Sequence, residues 1–130
     1  QCAVTELARN VINLEGANSS EFDPKTPFPV IDLLPEQKKI KIKGGTVRLG
    51  TYSCKLEKDS LAFKTFNQEM IYERHRHRYE FNNSYKDNFS KHGIRFSGLN
   101  QDLNLVEIVE LPNHPWFVGV QFHPGPRSII

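Results

Sequence analysis

Trp116-Phe117-Val118-Gly119-Val120-Gln121-Phe122-His123-Pro124 is the stretch on which the reading of this chain turns. Its uncharged, mostly apolar residues lack polar alternation. They predict a strand buried on both faces, a pattern that in a small domain belongs to the middle of a parallel sheet. Pro124 stops the strand and leaves His123 at its carboxyl end. Ligands of open α/β sheets gather beyond the carboxyl ends of the strands, so an imidazole there is placed for general acid-base chemistry. A strand-end histidine satisfied by a backbone partner fits the same pattern, and periodicity alone favours that plainer reading.

The 130 residues fit one domain, with 38% hydrophobic and 25% charged residues, as in an ordinary soluble globular chain. A formal net charge of +2 is too small to imply a nucleic-acid or membrane partner, whose footprints depend on clustered excess charge. Cys2 and Cys54 make no disulfide framework, and no signal peptide or bilayer-spanning run is evident. A reducing, cytoplasmic setting is expected.

Val4, Leu7, Val11 and Leu14 recur at helical spacing, with Ala8 and Ile12 widening the stripe, and predict an amphipathic helix over residues 1–14. That pattern is already complete at Gln1, without an initiator methionine or a capping residue, as if the chain were cut inside a helix. Gly16 is placed to end it in a left-handed conformation. Pro24, Pro27, Pro29 and Pro35 predict an extended loop, within which residues 30–34 form a short strand or a helical turn. Residues 37–43 alternate lysine with isoleucine as a guarded sheet edge does. Gly44-Gly45-Thr46-Val47-Arg48-Leu49-Gly50 reads as a turn or an anion-cradling loop, without the Gly-Lys-Ser/Thr ending of a phosphate loop. A strand over residues 51–56, short helices over 60–66 and 83–92, and strands over 94–98 and 105–111 complete an α/β pattern.

Tyr72-Glu73-Arg74-His75-Arg76-His77-Arg78-Tyr79-Glu80 is the most unusual local sequence. In an extended chain Arg74, Arg76 and Arg78 share one face, and His75, His77 and Tyr79 the other. Three chemistries compete. Paired histidines suit a metal, but the scattered remaining histidines and cysteines supply no second half of a ligand set, so no metal is assigned. The arginine face suits nucleic acid or another anion, opposed by Glu73, Glu80 and the low net charge. A guanidinium gripping the carboxylate of a small substrate is the third. Ion pairing within the fold accounts for the same arginines equally well.

Taken together, the Gly44 to Gly50 phrase, the Tyr72 to Glu80 phrase, His114-Pro115-Trp116-Phe117 and Gln121-Phe122-His123-Pro124 closely resemble the CTP synthase family. Gly16-Ala17-Asn18-Ser19-Ser20-Glu21-Phe22 and Leu105-Val106-Glu107-Ile108 extend the likeness over nearly the whole chain. The resemblance implies a flavodoxin-like α/β fold, the C-terminal part of a class I glutamine amidotransferase domain filling residues 1–130. It implies His123 as catalytic base and Gln1, Glu21 and Arg78 as glutamine-binding residues, Arg78 facing the substrate carboxylate. It also implies a parent protein in which ammonia passes to a synthetase domain that makes CTP from UTP, using ATP and Mg2+. GTP is the implied allosteric activator, with the Gly44 to Gly50 loop in the region of that coupling. A homotetramer is implied, and no cofactor is expected in this segment.

Two departures accompany the likeness. The family's nucleophilic cysteine falls in a phrase whose last residue corresponds to Gln1, so Cys2 is not that nucleophile. The family's histidine-orienting glutamate, in His-Pro-Glu, is replaced by Gly125 here. A base without nucleophile or orienter is not expected to hydrolyse glutamine by itself. The rival expectation is a non-catalytic α/β module that holds an anion or nucleic acid on the Arg74, Arg76 and Arg78 face.

Overall fold

A computed structural model describes residues 1–34 and 48–124. The lysine-rich segment 37–43, residues 44–47 of the glycine loop, Gly125 and the tail after it lie outside the described residues. The chain divides into two compact units. The first comprises Gln1–Arg48 and His77–His92, the second Leu49–Arg76 and Gly93–Ile130.

The first unit opens with helix α1, Cys2–Asn10, which buries Val4, Leu7 and Ala8 on one face. It is shorter than the apolar stripe predicts. Val11 is exposed, and Asn13 (φ 62°) and Gly16 (φ 81°) both turn the chain left-handed, so Gly16 shapes the following loop rather than capping the helix. The loop is pinned by Arg9 Nε donating to the Ala17 carbonyl (2.6 Å) and Thr26 Oγ1 donating to that of Gly16 (2.7 Å). Strands β1 (Asn18–Ser19) and β2 (Pro29–Asp32) pair in parallel, which settles the open segment as a strand. Val30 and Ile31 are buried in it.

The second unit holds a sheet of five strands. Strand β3 is Arg48–Leu56, followed by helix α2, Leu61–Phe66. Ser60 caps this helix, its Oγ accepting from Phe63 N at 3.0 Å, and Asn67 ends it in the left-handed region. Strand β4, Met70–His77, follows. The chain then re-enters the first unit as β5, Glu80–Phe81, antiparallel to β2. A 3₁₀ turn, Asn83–Tyr85, leads into helix α3, Lys86–Lys91. Phe89 of this helix is buried and meets Phe81 edge to face with ring centroids 5.1 Å apart.

Strands β6 (Arg95–Asn100), β7 (Leu105–Glu110) and β8 (Val118–Val120) complete the larger sheet, in the order β4-β3-β6-β7-β8. Here the expectation drawn from the last strand is corrected. β8 spans three residues, all half-buried, stands at one end of the strand order and runs antiparallel to β7. Within this sheet the strand buried along its whole length is β7, despite Glu107 and Glu110. Glu110 is satisfied there by the start of α2, its carboxylate accepting from Leu61 N (3.1 Å) and Ala62 N (2.6 Å). Cys54, Leu56, Ala62, Ile71, Ile108 and Phe122 form the core of this unit. No described helix is long and apolar enough to cross a membrane.

Candidate active site

β4 alternates strictly until its last residues: Ile71, Glu73 and His75 are buried, while Tyr72, Arg74 and Arg76 are exposed. The three-arginine face does not survive intact. The strand ends at His77, and Arg78 lies beyond it in the turn to β5, half-buried and no longer in register with Arg74 and Arg76. Its Nε is buried and finds no hydrogen-bond partner among the described residues. A buried guanidinium donor left unbonded costs free energy on the order of 1–3 kcal/mol or more, unless an acceptor arrives from outside.

Gln1 and Glu21 are brought together in the first unit, which also carries Arg78. The Gln1 side-chain amide donates to Glu21 Oε2 at 2.8 Å and to Ser19 Oγ at 2.7 Å. Ser19 Oγ in turn accepts from the Glu21 backbone N–H at 3.2 Å, so the buried hydroxyl fixes both partners. Ser19 was not singled out by sequence reasoning. Its only signal is membership of the Gly16 to Phe22 phrase, because eighteen residues separate it from Gln1.

His123 belongs to the second unit and is exposed. Gln121, Phe122 and His123 itself are held one by one. Gln121 N donates to the Glu107 carbonyl (2.9 Å), and His123 N donates to the Arg74 carbonyl (3.1 Å). Between them Phe122 is buried and meets the His75 ring edge on, with centroids 6.0 Å apart. His75 Nε2 lies 3.0 Å from Glu107 Oε2. His123, three residues beyond the end of β8, is therefore fixed at its backbone and exposed at its side chain. Of the two cysteines, Cys54 is buried in the core and Cys2 is exposed in the first turn of α1.

The glutamine amidotransferase class-I family model matches residues 1–128. The chain belongs to the class I glutamine amidotransferases. Within that class its relatives include CTP synthases. The protein of Clostridium acetobutylicum is 61% identical over 128 residues, covering 98% of this chain and 24% of the relative. That of Caldanaerobacter subterraneus subsp. tengcongensis is 60% identical over the same shares of both chains. Among solved structures, the glutaminase domain of Trypanosoma brucei CTPS with bound acivicin superposes with a TM-score of 0.87 at 33% identity, covering 99% of this chain and 52% of that one. The chain thus spans about a quarter of the length of its curated relatives, and it has the class I glutamine amidotransferase fold.

Proposed function

We propose that this chain is the glutamine-binding and base-carrying part of a CTP synthase amidotransferase domain. The observation that carries the reading is the buried, unbonded Nε of Arg78 in a member of a glutamine-using family. Arg78 receives the α-carboxylate of glutamine in a charge-assisted hydrogen bond, and the Gln1, Ser19 and Glu21 network lines the same substrate's polar end. His123 serves as the base that activates a cysteine nucleophile and then protonates the leaving ammonia.

In the parent protein the ammonia is consumed by a synthetase domain, which activates UTP with ATP and Mg2+ and aminates it to CTP. GTP activation, a homotetrameric assembly and a cytoplasmic location accompany this reading. The 130 residues alone do not hydrolyse glutamine. Cys54 is sealed in the core, Cys2 adjoins Gln1 on a helix rather than at a strand-to-helix turn, and Gly125 has no side chain to orient His123. Glutamate release from glutamine, measured on the purified chain, is expected at the background rate. Turnover that disappears in His123→Ala would overturn that expectation.

A further inference from the structure

We propose that Glu80 is a positioning residue for Arg78, acting through a closed turn rather than by touching substrate. The inference rests on Arg78 being the donor to the glutamine carboxylate. Only Arg78 and Tyr79 lie between the end of β4 at His77 and the start of β5 at Glu80. The two flanking side chains close this turn on itself. His77 Nδ1 lies 3.2 Å from Glu80 Oε1 and 3.2 Å from the Tyr79 carbonyl oxygen. Both neighbours are acceptors, so Nδ1 carries its hydrogen and donates.

Glu80 is itself anchored. Its side chain is 1% exposed, and Arg48 Nη1, from the first residue of β3, donates to Oε1 at 3.2 Å and Oε2 at 3.4 Å. Its backbone pairs with Asp32 of β2. One carboxylate thus ties Arg48, His77 and β5 together within the first unit, and the residues enclosed by these ties are Arg78 and Tyr79. A flexible arginine with an unbonded donor needs such an enclosure, because substrate affinity falls with every conformation the empty site must give up.

The sign of the effect separates positioning from simple charge. Removing a carboxylate two residues from Arg78 leaves the neighbourhood more positive, which on Coulombic grounds strengthens carboxylate binding. Positioning predicts the opposite.

The test titrates the 130-residue chain with L-glutamine and with 4-aminobutanamide, which has the same amide and amine but no carboxylate. The wild-type chain is expected to prefer glutamine by roughly tenfold to a hundredfold, the range of a charge-assisted hydrogen bond. Arg78→Ala abolishes that preference. Glu80→Gln loses most of it, and Arg78→Ala with Glu80→Gln loses no more than Arg78→Ala alone. His77→Ala, which leaves the Arg48 to Glu80 pair in place, gives a smaller loss of the same kind and serves if Glu80→Gln does not fold. Wild-type or enhanced preference in both Glu80→Gln and His77→Ala, with Arg78→Ala still abolishing it, would overturn the role of Glu80 while leaving that of Arg78 standing. An undiminished preference in Arg78→Ala would overturn both.

Discussion

His75 Nε2 faces Glu107 Oε2 at 3.0 Å, and both side chains are entirely withdrawn from solvent. The contact joins β4 to β7, which are separated in the strand order by β3 and β6. Tyr52 and Phe122 meet the imidazole edge on, at 5.6 and 6.0 Å between centroids. The pair therefore underlies the residues that carry His123.

A buried carboxylate deprived of its partner is costly. His75→Leu is expected to lower the unfolding free energy by about 3–5 kcal/mol, whereas replacing both members by leucine recovers most of that loss. Denaturant unfolding monitored by circular dichroism checks this, with the midpoint shifting at unchanged slope.

Gly98 allows close packing in the second unit. A β-carbon there would meet Ile108 Cγ1 at 2.5 Å and Cys54 Sγ at 2.8 Å. Both neighbours are fully buried, so neither has room to withdraw. Gly98→Ala should cost about 1–3 kcal/mol by overpacking. Adding Ile108→Val should return part of it, and the same unfolding measurement reads the coupling.

Tyr85 gives the first unit a pH dependence at the alkaline end. Burial, and secondarily the nearby charge of Asp32, raise its phenol above the ordinary value of 10.0. The folded state thus holds the phenolic proton more tightly than the unfolded chain does. The corresponding stability is fully present below pH 10.0 and is lost as the pH climbs through the raised folded value. Ultraviolet titration of tyrosinate should show a late-ionising component that is lost in Tyr85→Phe and ionises earlier in Asp32→Asn.

The legible parts of this fold were those set by local chemistry. The short helix expected over residues 60–66 is observed as Leu61–Phe66, and the period-two separation of His75 from Arg74 and Arg76 holds in β4, although only the fold shows that the His75 face is the buried one. The misreading concerned which strand is buried on both faces. An apolar run marked β8, yet only three of its residues form a strand, while β7 carries two glutamates inward. Pattern reading turns a glutamate outward by default. It has no access to the His75 ring or to the α2 amides that make burial of Glu107 and Glu110 tolerable. Arg78 shows the same limit, since period two placed it with Arg74 and Arg76 and the strand stops one residue before it. Gln1, Glu21, Arg78 and His123 came from likeness to a family, whereas Ser19, the residue that ties Gln1 to Glu21, became evident only in three dimensions.

The central claim is that Arg78 holds the carboxylate of glutamine. Following the side-chain Nε–H resonance of Arg78 by ¹⁵N-resolved NMR, as L-glutamine is added to the chain, tests it most directly. The account predicts a saturable shift of that resonance together with the Gln1 side-chain amide, and no comparable shift with 4-aminobutanamide. An Arg78 resonance that stays in place while glutamine saturates the protein would contradict it.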